Sequence, residues 1–250
     1  MMRSANSIAI SAATFMLLSA VCTRACAQKG RTAKTARTAI RTASLQAPAG
    51  KPSPPVVAPG WTTTVELTTR NMGSGETPLG DLVADSLRSA GKADIAFIAA
   101  SSFDEATIPK GSFVPADVVK SLEFGDDTVA VVKLTGSQIE KALRHSLTLF
   151  PKENSGFLQM SGLTVTVSVD ATMQSHVVSV KVGSAALEIA HTYLVAMPTP
   201  LANGALAYFK VWPKSAIDHE TTSTLSGAIT TWLAGHHHIT RFDPRLVTKP

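Results

Sequence analysis

The 250-residue chain carries 23 basic and 18 acidic residues, a formal net charge of +5, with 44% hydrophobic residues and two cysteines. Eight of the basic residues and none of the acidic ones precede Gly60, so the remainder is net negative and the basicity belongs to the N-terminal segment. That placement removes whole-chain charge as an argument for nucleic-acid binding, and the confinement of cysteine to Cys22 and Cys26 leaves the rest of the chain without disulfides, thiol nucleophiles or cysteine metal ligands.

Residues 1–27 read as a signal peptide. Arg3 gives a positive start, Ile8 to Val21 is mostly apolar, and Ala25-Cys26-Ala27 is a small-residue cleavage site, which makes Gln28 the expected mature start. The apolar run is shorter than the ~20 residues a membrane-spanning helix needs, and no second run of that length follows. The expectation is an exported protein, periplasmic or extracellular, with no transmembrane segment in the mature chain. Residues 28–60 read as a basic linker: Arg31-Thr32-Ala33, Lys34-Thr35-Ala36, Arg37-Thr38-Ala39 and Arg41-Thr42-Ala43 repeat, then five prolines follow between Pro48 and Pro59. So little apolar surface does not offset the entropy of ordering. One domain is left, residues 61–247, large enough to bury roughly 70% of its unfolded surface without covalent staples.

In chain order, Thr62 to Thr69 alternates as a strand with Val65 and Leu67 on one face. Pro78 starts a helix whose stripe is Leu79, Leu82, Val83, Ser86 and Leu87, ending at Gly91. Asp94 to Ala100 is almost wholly apolar, as in a buried strand, and Ser101 to Gly111 is its following loop. Pro115 opens a short helix, Ala116 to Leu122. Thr128 to Leu134 is a strand, Thr135 with Gln138 makes a capping box, and Ile139, Ala142, Leu143 and Ser146 form the buried stripe of a helix ending near Phe150-Pro151. Leu163–Val169 and His176–Val182 read as paired strands turning at Asp170-Ala171. Thr192 to Met197 is a further strand, and Thr222 to Ala234 a last helix. Strands and helices that do not strictly alternate predict an α+β fold, a mixed β-sheet with packed helices.

These segments, in this order, resemble the C-terminal domain of the 5'-nucleotidase family, which includes UDP-sugar hydrolases. The resemblance rests on Pro78-Leu79-Gly80-Asp81-Leu82-Val83-Ala84-Asp85, Leu122-Glu123-Phe124-Gly125-Asp126, Leu134-Thr135-Gly136, Gly156-Phe157-Leu158-Gln159-Met160-Ser161-Gly162 and Leu201-Ala202-Asn203-Gly204. It implies a nucleotide-recognition half whose catalytic partner is a two-metal phosphatase domain with Asp-x-His and Gly-Asn-His motifs. No such motif stands before Trp61. The expectation is therefore no cofactor in this chain, divalent metals only in a separately encoded metallophosphatase, and a nucleotide or nucleoside ligand. A non-catalytic envelope binding or scaffold module is the alternative.

The resemblance implies substrate contacts at Phe124, Asn203 and Gly204, with Phe124 at the position of a base-stacking phenylalanine. The second stacking phenylalanine falls on Pro200, the ribose-binding aspartate on Leu206 and a phosphate-binding arginine on Asp104. An arginine–phosphate pair contributes ~1.5–3 kcal/mol and one aromatic face ~0.5–1.5 kcal/mol, so these departures weigh against phosphate and base together. His236-His237-His238 reads as a solvated helix end, since adjacent histidines do not all point at one ion, and His145 as a structural histidine. Ser102 and Ser161 have no nucleophile elbow around them.

Overall fold

The structure, a computed structural model, describes residues 60–249. The segments read as signal peptide and linker lie outside the described residues apart from Gly60. The fold is α+β. Its first part runs through β1 (Trp61–Thr63), β2 (Leu67–Thr68), α1 (Pro78–Gly91), β3 (Ile95–Ala99), β4 (Thr107–Ile108), β5 (Gly111–Phe113) and α2 (Pro115–Val119). Then come β6 (Thr128–Thr135), α3 (Gly136–Ser146), β7 (Leu158–Ser161), β8 (Leu163–Val169), β9 (Ser175–Val182) and β10 (Ala185–Ala186). The chain ends with β11 (Thr192–Pro198), α4 (Thr199–Ala202), β12 (Ile217–Thr224), α5 (Leu225–Ala234), β13 (His238–Ile239) and β14 (Leu246–Lys249).

A five-stranded sheet, in the order β12-β6-β11-β3-β7, separates two cores. Because side chains alternate across a strand, Ile95 and Phe97 of β3 enter one core, and Ala96 and Ile98 enter the other. The first core is closed by Ile139, Ala142 and Leu143 of α3 and by Val165 and Val167 of β8, which belongs to a second sheet ordered β10-β9-β8-β14. The second core is closed by Leu79, Leu82, Val83 and Leu87 of α1 and by Leu225, Ile229 and Leu233 of α5. The three small strands β13-β1-β5 and the pair β2-β4 flank this body.

The helix caps form as follows. Thr77, which the sequence reading did not single out, caps α1: its Oγ1 accepts from Gly80 N at 3.2 Å, and the helix, which runs to Gly91 as expected, ends on Lys92 in the left-handed region, φ 47°. Thr135 and Gln138 make both bonds of the capping box, at 3.3 and 2.9 Å. Several boundaries differ. α2, expected from Ala116 to Leu122, runs Pro115–Val119, and β4 and the start of β5 fall in the predicted loop from Ser101 to Gly111. The predicted strand at Thr62–Thr69 is two short strands, because Thr63 Oγ1 donates to Val65 O at 2.6 Å and bends the chain between them. The helix predicted to end near Phe150 stops at Ser146. The helix predicted from Thr222 begins at Leu225: Ile217–Thr224 pairs onto the open edge of β6 as a strand, and Thr224 caps the helix by accepting from Gly227 N at 3.1 Å.

Candidate functional site

The strand directions gather four loops at one end of the central sheet. β3 and β11 are parallel, so the loops leaving them, at 100–106 and 199–210, emerge on the same side. β6 is antiparallel to β11 and β7 to β3, so the loops entering them, at 120–127 and 147–157, start there too. Backbone bonds tie the loops together. Ala100 N donates to Phe157 O at 2.8 Å, Ser101 N to Ser155 O at 3.0 Å, Asp104 N to Ser121 O at 2.9 Å and Glu123 N to Ser102 O at 3.0 Å. Thr128 Oγ1 and Thr199 Oγ1, 2.8 Å apart, join the fourth loop, at 199–210, to the end of the loop at 120–127.

Between the turn at 69–73, the loop at 100–105 and the loop at 153–155 lies an open cleft of about 540 Å³. Gln159 does not line it but holds the segment that carries Met72 and Gly73 of its wall. This side chain is buried in β7, yet it donates to Met72 O at 2.9 Å and Gly75 O at 2.7 Å and accepts from Thr77 N at 3.0 Å. Asn154 closes the near side. Its N donates to Gly73 O at 2.8 Å, its Nδ2 to Ser146 O at 3.0 Å, and its Oδ1 accepts from Gly156 N at 2.9 Å. The ionisable residues lining the cleft are Arg70 against Asp104, Glu105 and Glu153. Asp104 also hydrogen-bonds Glu123, and that bond, together with the adjacent like charge, raises the Glu123 carboxyl above the usual range. The end of the sheet that the resemblance assigns to phosphate is therefore anionic.

Phe124 stands on the neighbouring loop with 53% of its surface exposed, which leaves its ring face open to stack on a ligand. It is joined to the cleft through Glu123, and it does not line it. Asn203 ends α4 and donates through Nδ2 to Thr199 O at 2.9 Å. Gly204 has φ +93°, and a side chain there would meet Phe209 Cβ at 2.7 Å, so the glycine is required by the turn itself. The two residues shape the loop that carries Leu206, Phe209 and Pro200 and stand apart from the cleft. Tyr208 fixes that loop from beneath: its buried hydroxyl donates to Gly156 O at 2.8 Å, its ring stacks on Trp212 at 4.9 Å, and burial pushes its phenol above the usual range. His145 Nε2 lies 2.9 Å from Leu206 O, a loop-holding contact. Phe209, 65% exposed beside Lys210, adds a second open aromatic ring on this loop.

The other singled-out side chains are dispersed. Ser161 is fully buried between Asp85 and Arg88, at 2.5 and 2.8 Å. His236 stacks on Trp232, His237 on Trp61, and His238 Nδ1 meets Thr62 Oγ1 at 2.8 Å. Among the described residues no three His, Cys, Asp or Glu side chains converge to hold a metal ion. Nor is any described helix long and apolar enough to cross a membrane.

A domain with this sheet order, these capped helices and this loop-lined end belongs to a known class. Residues 56–211 match the family described as 5'-nucleotidase, C-terminal domain, and the chain belongs to that family. It is 27% identical over 155 residues to an apyrase of Aedes albopictus and 28% identical over 138 residues to an apyrase of Anopheles gambiae. The matched parts are 57% and 52% of this chain but only 27% and 24% of the apyrases. Its fold is similar to that of the 5'-nucleotidase precursor from Thermus thermophilus, with a TM-score of 0.66 and 24% identity, covering 76% of this chain and 39% of that one. It is also similar to a putative 5'-nucleotidase from Staphylococcus aureus, with a TM-score of 0.60 and 18% identity, covering 76% and 40%.

Proposed function

We propose that this exported chain is the nucleoside-recognising half of a nucleotide phosphohydrolase and acts with a separately encoded metallophosphatase. The observation that carries the reading is Phe124: an exposed aromatic ring, inside the family-matched segment, on a loop bonded to the acid-lined cleft. Stacking on one aromatic face contributes ~0.5–1.5 kcal/mol, and the carboxylates of the cleft suit a sugar's hydroxyls better than a phosphate. The phosphate would then be held by the partner, whose metals supply the charge that Asp104 no longer does. The test mixes the purified chain with a single-domain metallophosphatase from the same genome and Mn²⁺, then follows AMP hydrolysis and co-elution. A stable complex with altered AMP hydrolysis is expected. Neither complex nor change in rate would overturn the reading.

A second reading is favoured by the Asp104–Glu123 contact. The domain would serve as a non-catalytic binding or scaffold module of the cell envelope, its pocket too acidic to hold a nucleotide. It predicts no thermal stabilisation by adenosine, AMP or UDP-sugars, whereas the first reading predicts stabilisation by adenosine.

A further inference from the structure

On the face remote from those loops, the C-terminal turns of α1 and α5 enclose a recess of about 400 Å³ lined by Asp85, Arg88, Ser89, Trp232 and His236. Its two cationic or proton-accepting side chains are fixed in place. Arg88 Nε donates to Ser161 Oγ at 2.8 Å, which points the guanidinium from a buried anchor. The His236 ring lies flat on Trp232, 3.9 Å between centroids at 5°, and its Nδ1 meets Trp232 O at 2.7 Å. A carbonyl only accepts, so Nδ1 carries the proton and Nε2 is the nitrogen left to face a ligand. The one carboxylate in the recess is already satisfied, Oδ1 by the Ser161 hydroxyl and Oδ2 by Arg245 Nη2 at 2.8 Å. Among the described residues neither Arg88 Nη nor Ser89 Oγ has a protein partner.

We propose that this recess is a binding site for a small phosphate oxyanion, held by the Arg88 Nη groups, the Ser89 hydroxyl and Nε2 of His236. A planar guanidinium with its Nη1/Nη2 edge free offers two parallel N–H groups to two phosphate oxygens, and the fixed Nε anchor lowers the entropy lost on binding. The stacked Trp232 ring holds the His236 imidazole in place. The reading is independent of the cleft at the other end of the sheet.

The experiment titrates the full chain with inorganic phosphate by calorimetry at pH 6 and low salt, with acetate as the planar comparison. One phosphate per chain, tighter than acetate, is expected, and at least a tenfold loss in both R88Q and H236A. His236 is exposed, so H236A is expected to keep the wild-type melting temperature and remains informative if R88Q unfolds. No phosphate binding by the wild type, or binding unchanged in H236A, would overturn the site.

Discussion

At the scale of single residues, Asp81 is the most displaced group. Its side chain is 4% exposed, its Oδ1 has no hydrogen-bond partner, and burial drives its pKa up to about 9 from 3.8. Arg245 opposes the shift from 3.4 Å, but that guanidinium is shared with Asp85 and with the carbonyls of Asp81 and Met160, so desolvation wins. Glu76 adds to the shift by hydrogen bonding to Asp81 and by its like charge. The folded state thus holds a proton that the unfolded chain releases above about pH 4. Its stability contribution is full below pH 3.8 and declines as pH rises towards 9. Asp81→Asn keeps the shape without the titration. The melting temperature of the variant relative to wild type is expected to rise steadily between pH 5 and pH 9, and a constant difference would contradict the assignment. Leu206 and Ala207 carry a different cost, with φ of 56° and 66° in the left-handed region where a Cβ is crowded. Ala207→Gly is expected to stabilise the chain by about 0.5–1 kcal/mol in urea unfolding.

At the scale of elements, β7 holds, through Gln159, the segment from Met72 to Thr77, whose first residues line the cleft. A strand with buried residues on both sides ordinarily excludes an amide, yet here the amide holds three backbone groups of the segment from Met72 to Thr77. Gln159→Leu leaves those groups unpaired and is expected to cost roughly 2–5 kcal/mol, with faster hydrogen exchange at residues 72–77 than elsewhere. Protection unchanged at those residues would show that the turn stands without it. Much of the element pattern was legible from periodicity and capping chemistry. The stripes of α1 and α3 and the Thr135–Gln138 capping box follow from local residues that tertiary packing does not override. β12 was not legible, because Asp218, His219 and Glu220 lack apolar alternation and only the open edge of β6 recruits them. The cleft was legible in part. Phe124 and the change to Asp104 came from the resemblance, whereas the roles of Gln159, Asn154 and Arg70 arise from contacts spanning up to 87 residues of sequence. The one local clue was a glutamine inside the apolar run Phe157 to Met160.

At the scale of the whole molecule, the family membership and the anionic cleft lead to one arrangement. The sheet, two cores and capped helices are those of a nucleotidase C-terminal domain, while the loops at its end present an aromatic ring beside carboxylates. On the proposed reading, such a surface would take a nucleoside and leave the phosphate to a partner. The chain spans about two-fifths of the nucleotidases it resembles in fold, 39% and 40% of their lengths, so the chemistry of the full enzymes enters only through that proposed partnership. The most direct measurement is calorimetric titration of the wild-type chain and Phe124→Ala with adenosine and with AMP. The account predicts that adenosine binds the wild type no more weakly than AMP, and that Phe124→Ala weakens it by about two- to tenfold, the loss of one stacking face. No adenosine binding at millimolar concentration, or equal binding by Phe124→Ala, would contradict it.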